Sequence, residues 1–234
     1  MGRTHLQLAM NVKFKFDMRR LEKAIKDLRP HVQKTRAELV EDAAKGFVKR
    51  VVAITPPASK GVSGSKAKQQ GDQAIKSDLA RIMVAVSKKK DRDARSAAAS
   101  PEELHRRFRD KRTGRVNPGA LKRPYRVGKS ELLALQRRLL KEVGWLAAGW
   151  NEAAIKLGVR LPAWVSRHGT GRGSIGITRG GSLFRITIAN EVGFVGNVKG
   201  FSRRIQSAIN LQANAMKRQA EHLLKKGIRK AGWK

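Results

Sequence analysis

Cysteine is absent from the chain, and with it go disulfides, thiolate nucleophiles and cysteine-based zinc sites. Acid is scarce: 18 Asp and Glu stand against 52 Lys and Arg, a formal net charge of +34 on 234 residues. After Glu152 only Glu191 and Glu221 remain, so a two-metal nuclease, which needs several converging carboxylates, is hard to build. At 5% aromatic residues, the stacking platforms that hold single strands are also scarce. No run of about 18 apolar residues exists to span a bilayer. The first residues, MGRTHLQLAM, are too short and too weakly apolar for a signal peptide. A soluble protein made in a cytosol is expected.

What is present is cation. An excess of this size is costly through self-repulsion in a compact chain, and a neighbouring polyanion relieves it. Nucleic acid is the commonest such partner, because neutralising phosphates releases condensed counterions without reading any base. An acidic protein and an anionic membrane surface are the other candidates. Hydrophobic residues make up 40% of the chain, enough for a real core and too many for a wholly disordered tail.

The periodicities predict an α+β fold. Asn11–Asp17 alternates Val12, Phe14 and Phe16 with Lys13 and Lys15, the pattern of a half-buried strand. Asp17 opens a helix bearing Met18, Leu21, Ile25 and Leu28. Pro30 suits a first helical position, and an apolar face from Leu39 to Val52 runs to a stop at Thr55-Pro56-Pro57. Residues 56–71 are rich in Gly, Ser and Lys and predict a flexible basic loop. Ile75, Leu79, Ile82 and Val86 then recur at helical spacing, and that helix ends in Lys88-Lys89-Lys90.

Residues 88–129 are basic and punctuated by Gly and Pro, which predicts an extended arm or insertion. Within it Ser100 and Glu103 match a capping box, with Pro101 in the first turn. Ser130 is placed to cap a long helix carrying Leu132, Leu135, Leu139, Val143, Leu146, Trp150, Ala153 and Leu157, closed by Gly158. Pro162 and Trp164 mark a short packed turn. Ser174–Arg179 and Leu183–Asn190 read as a hairpin across Gly180-Gly181. A C-terminal helix over about 202–230, capped by Ser202, carries Ile205, Ile209, Met216 and Leu223. The expectation is one domain: a small antiparallel sheet, made of the N-terminal strand and the late hairpin, packed with long helices.

Enzyme signatures fail on context. Val127-Gly128-Lys129-Ser130 resembles the end of a phosphate-binding loop, but Arg123 occupies the required upstream glycine position and no strand is read before it. Gly171-Arg172-Gly173-Ser174-Ile175-Gly176 matches a dinucleotide pattern literally, yet a strand follows it where a helix is needed. His5, His31, His105, His168 and His222 are scattered, without the spacing of a zinc site or a general base. No catalytic residue, metal or cofactor is assigned. Trp145, Trp150 and Trp164 sit among apolar neighbours and read as core.

Sequence-independent contact with phosphate, or with an acidic subunit, is what remains. The candidate residues are Lys88, Lys89, Lys90, Arg92, Arg106, Arg107, Arg109, Lys111, Arg112, Arg115, Lys122 and Arg123 in the basic stretch, with Arg167, Arg172 and Arg179 around the hairpin.

Several stretches resemble the minor tail and tail-completion proteins of long-tailed bacteriophages, the lambda-type tail protein Z group. They are Val51-Val52-Ala53-Ile54-Thr55-Pro56-Pro57, Gly71–Leu79 (GDQAIKSDL), Gly144–Asn151 (GWLAAGWN), Leu161-Pro162-Ala163-Trp164-Val165 and Ile188–Gly193 (IANEVG). The chain departs from that pattern in the basic stretch after Val86 and in lacking an Asp-Thr-Gly after the Thr-Pro. The resemblance implies a non-enzymatic virion protein, assembled in host cytoplasm as a symmetric ring at the head-tail junction or tail. Its partners would be connector, neck or tail-tube proteins and double-stranded DNA, with no membrane. The alternative from another class is a cellular, sequence-independent nucleic-acid-binding protein of ribosomal or chromatin type.

Overall fold

The computed structural model describes residues 19–29, 35–59, 61–92, 99–110, 115–119, 121–180, 183–193, 198 and 200–230. The expected strand Asn11–Asp17 and Pro30 lie outside the described residues.

Two helices and a long C-terminal one build the largest core. Helix α1 (Arg19–Leu28) buries Leu21, Ala24 and Leu28. Helix α2 (Arg36–Ile54) has Thr35 as its N-cap. Thr35 Oγ1 accepts from the Glu38 amide at 3.3 Å, and the Glu38 carboxylate accepts from the Thr35 amide at 2.7 Å. That reciprocal pair satisfies two otherwise orphaned donors and fixes the start of the helix. The last helix, Phe201–Lys230, begins a residue before Ser202 and turns Ile205, Ala208, Ile209, Ala213, Met216 and Ala220 into the same core.

Half of the stretch expected as a loop over 56–71 is helical. Helix α3 (Gly64–Ala80) occupies its second half. Ala67 is fully buried in the main core, and Lys68 pairs with Asp72 one turn on. A tertiary contact and a local ion pair thus override a composition that reads as flexible.

After Ala80 the helical reading of Ile82 and Val86 also fails. Met83–Val86 is a strand, β1, and it pairs in parallel with β2 (Tyr125–Gly128), from Met83↔Tyr125 to Val86↔Gly128. Between them lie a 3-10 turn at Lys89–Asp91 and helix α4 (Pro101–Phe108) with the expected Ser100–Glu103 capping box. Residues 88–129, expected as an extended arm, therefore contribute to a second core. Ala99, Leu104, Val116 and Val127 pack there with Leu79, Ile82, Met83 and Leu135. The apolar residues of this stretch are too widely spaced to show a period, and only the strand pairing gathers them. Burying a side chain such as Leu104 completely is worth about 1.5–3 kcal/mol.

The single helix expected from Ser130 to Leu157 is three: α5 (Lys129–Glu142), α6 (Trp145–Ala148) and α7 (Asn151–Lys156). The break is Gly144, whose φ of 107° is open to glycine and strained for other residues. A Cβ there would also stand 2.6 Å from the Trp164 carbonyl oxygen. Trp164 belongs to a short helix, α8 (Ala163–Ser166), at the expected packed turn. Strands β3 (Gly173–Gly180) and β4 (Leu183–Asn190) form the antiparallel pair that the alternation predicts. Ile175, Ile186 and Ile188 from this pair face Val48, Ala153, Ala154 and Leu157. The C-terminal helix is α9. The fold is α+β, with one parallel and one antiparallel strand pair among the described residues. Pairing of the hairpin with the N-terminal strand lies outside them.

The short motifs quoted above meet in space. Thr55 is fully buried; its hydroxyl donates to the Val51 carbonyl at 2.6 Å and accepts from Trp150 Nε1 at 3.2 Å. Asn151 donates to the carbonyls of Val165 and Gly169, at 3.2 and 2.7 Å. Asn190 donates to the Leu146 carbonyl at 2.8 Å. These residues are buried or partly buried polar groups that find their partners across different elements.

Candidate nucleic-acid interface

The described residues between 99 and 123 present cations because their apolar neighbours point the other way. Helix α4 buries Pro101 and Leu104 and leaves Arg106 and Arg107 exposed. Beyond it the chain doubles back, with an isolated antiparallel bridge between Arg109 and Val116. Two backbone bonds close this link: Asp110 donates to the Arg115 carbonyl at 2.9 Å and Asn117 to the Phe108 carbonyl at 2.8 Å.

A buried carboxylate anchors the turn. Asp78, 7% exposed on α3, accepts from Arg115 through both oxygens, at 2.7 and 2.8 Å, and from the Val116 amide at 3.3 Å. Such a two-pronged pair is directional as well as strong. From the same helix end, Arg81 donates to the Val116 carbonyl at 3.0 Å. The hydrogen bonds that Arg115 donates to Asp78 hold its guanidinium even more firmly in its charged form.

The candidate cations thus divide. Lys88, Lys90, Arg106, Arg107, Lys122 and Arg123 are exposed. Arg109 is exposed and has an interaction partner. Arg115 is engaged by Asp78, and Arg92 is paired with Glu131 at 3.0 Å. Lys111, Arg112 and the Lys89 side chain lie outside the described residues. Around the hairpin, Arg167 donates to the carbonyls of Leu140, Lys141 and Val143 at the end of α5, where a cation also suits the helix dipole. Arg172 lies 4.9 Å from the Trp145 ring centroid and donates to the His168 carbonyl. Arg179 lies 5.8 Å from the Phe184 ring centroid. Arg167 and Arg172 therefore bind the protein's own carbonyls.

A cleft of ≈ 350 Å³ opens where β1 and β2 end, lined by Val86, Ser87, Arg92, Lys129, Ser130 and Leu133. Here a strand does precede Gly128-Lys129-Ser130, against the sequence reading, and the parallel pairing with distant β1 is why it was not visible. The strand passes straight into α5 with no intervening loop, so the wrap of a phosphate-binding loop is absent. Gly128 has a different use. A Cβ there would come within 2.2 Å of Arg92 Nη2, so the missing side chain is what lets the guanidinium lie over the junction.

Among the described residues two histidines, His105 and His168, are half-buried. Burial, then Arg109, holds His105 below the usual histidine range. His168 is lowered mainly by burial, opposed by its 2.9 Å contact with the Val143 carbonyl and assisted by Arg167 and Arg172. Burial raises the Glu142 carboxyl, against the pull of Arg138 and Arg109. Among the described residues no group of three or more His, Asp or Glu could hold a metal ion, and no helix is long and apolar enough to cross a membrane.

The candidate list left out other exposed cations: Arg20, Lys23 and Lys26 on α1, and Lys217, Arg218, Lys225 and Lys226 on α9. Their signal was present as the basic side of each amphipathic helix. Comparison with protein-family models, with curated proteins and with solved structures found no match.

Proposed function

We propose that the protein is a non-enzymatic structural component of a tailed-bacteriophage virion, at the head-tail junction or in the tail. It forms a symmetric ring and touches double-stranded DNA or neighbouring subunits through phosphate-type contacts on its basic surface. The observation that carries this reading is the charge: +34 overall, with Lys88, Lys90, Arg106, Arg107, Lys122 and Arg123 exposed on a single stretch whose apolar residues are folded inward. Packing against an ordered core reduces the entropy lost when such a stretch meets a partner. Further support comes from the motifs that resemble tail-completion proteins, since Thr55, Trp150, Asn151 and Asn190 are joined as one packing unit. Diffuse backbone contact holds duplex without fixing its register, which suits a wall past which DNA slides.

Size-exclusion chromatography with light scattering, followed by filter binding to unrelated duplexes across a salt series, tests the proposal. A closed oligomer larger than a dimer, binding all duplexes alike and weakening steeply with salt, is the expected result. A monomer or dimer that binds RNA or DNA tightly on its own would favour a protein of ribosomal or chromatin type.

A further inference from the structure

The cleft at the ends of β1 and β2 is where cations are placed by construction and not only by abundance. Arg92 and Lys129 come from segments far apart in sequence and line one opening with the hydroxyls of Ser87 and Ser130. Three features fix the arginine there. The parallel pairing sets Val86 opposite Gly128, Gly128 leaves the space that Arg92 Nη2 would otherwise share with a Cβ, and Glu131 holds Nη1 at 3.0 Å. Glu131 engages Nη1 and offsets part of the charge of Arg92, and Nη2 lies over Gly128. Lys129 is exposed. Val86 and Leu133 supply the apolar wall. Two cations and two hydroxyls around one opening, with the Glu131 carboxylate on Arg92 leaving a net positive charge, match a single tetrahedral anion with several acceptor oxygens.

We infer that this cleft grips one phosphate group, and that on the reading above the group is a phosphodiester of the DNA backbone. It is a fixed point within an otherwise diffuse contact. Arg92 and Lys129 carry the charge, Ser87 and Ser130 donate hydrogen bonds, and Gly128 is the positioning residue for Arg92. Contact is from one side only, because β2 runs directly into α5 and no loop surrounds the anion. The group is bound without any bond being made or broken.

The test uses the full chain, a short duplex labelled for fluorescence anisotropy, and inorganic phosphate. R92Q/K129Q is compared with R218Q/K225Q, which removes the same charge from α9. Thermal melts verify that both variants are folded, and K129Q alone changes an exposed side chain if the double variant is not. The expected result is that R92Q/K129Q weakens duplex binding roughly tenfold and lowers the salt slope by about one unit, while R218Q/K225Q weakens it less than about threefold. G128A, which displaces Arg92 without altering charge, should lower affinity in the same direction. Inorganic phosphate should shift the backbone amide resonances of Lys129 and Ser130 saturably in the wild type and not in R92Q/K129Q.

Equal losses in the two double variants, with no phosphate-induced shifts, overturn the inference and leave the proposed function standing. A wild type that fails to bind duplex at any salt but still shows saturable phosphate shifts overturns the proposed function and keeps the anion site.

Discussion

Removing either partner of the Asp78–Arg115 pair should destabilise the protein unequally. The Asp78 carboxylate is almost wholly buried, whereas the Arg115 side chain is 57% exposed. R115A therefore strands a buried charge that has lost two of its three hydrogen bonds, while D78A leaves a half-exposed side chain that water solvates and that keeps another interaction. Taking away the partner of a buried, hydrogen-bonded charge costs about 3–5 kcal/mol, and the exposure of Arg115 places R115A near the lower end, ~3 kcal/mol. D78A loses the same bonds and leaves the Val116 amide unpaired, which amounts to about 1–2 kcal/mol. For a chain of this length a loss of 1 kcal/mol lowers Tm by roughly 2–4 °C. R115A should thus melt about 6–12 °C below wild type and D78A about 2–8 °C below it. Differential scanning calorimetry of both variants and the wild type at neutral pH measures the difference. Equal Tm shifts for the two variants would refute the argument that the buried partner sets the cost.

The remaining expectations concern backbone, caps and titration. G144A should lower stability by about 2–3 kcal/mol, because it combines a positive φ with a Cβ 2.6 Å from the Trp164 carbonyl oxygen, and near-UV circular dichroism should report the displaced tryptophan. S100A removes one half of a capping box and should cost about 1 kcal/mol, read as a small drop in the denaturation midpoint with unchanged slope. His168 is neutral in the folded state to a lower pH than in the unfolded one. It therefore contributes stability that is present above the ordinary histidine pKa and lost as pH falls through the folded value, and H168Q should flatten the acid side of a Tm–pH curve. Glu142 has the opposite sign, since its folded pKa is raised. E142Q should stabilise the protein at neutral pH and have little effect once the carboxyl is protonated in both states, which a melt at each pH would show.

The elements that were legible in the sequence are those specified locally. The stripes of α1 and α9, the Ser100–Glu103 box and the hairpin alternation each declare themselves within about two turns or one strand pair. What was not legible depends on distance along the chain. The β1–β2 pairing joins Met83 to Tyr125, and short parallel strands carry no period of their own. Helix α3 hides behind Gly, Ser and Lys because its anchor is one alanine in a core built by other helices. The break at Gly144 interrupts a heptad-like run of leucines, and only the close approach of Trp164 explains it. For the interface, the exposed half of the basic stretch was visible as composition, and the roles of Arg115, Arg167 and Arg172 were not. Nothing in their spacing announces a buried aspartate or the free carbonyls at the end of α5.

The central claim is that cations of the basic stretch and of the cleft lie against duplex backbone, and lysine acetylation footprinting tests it most directly. The full chain is acetylated with and without duplex DNA, and modification is quantified by mass spectrometry at Lys88, Lys90, Lys122 and Lys129, with Lys45 on α2 as reference. Loss of reactivity at the first four on adding duplex, reversed by high salt and without change at Lys45, is the predicted result. Unaltered reactivity at all four, under conditions where duplex is bound, would contradict the account.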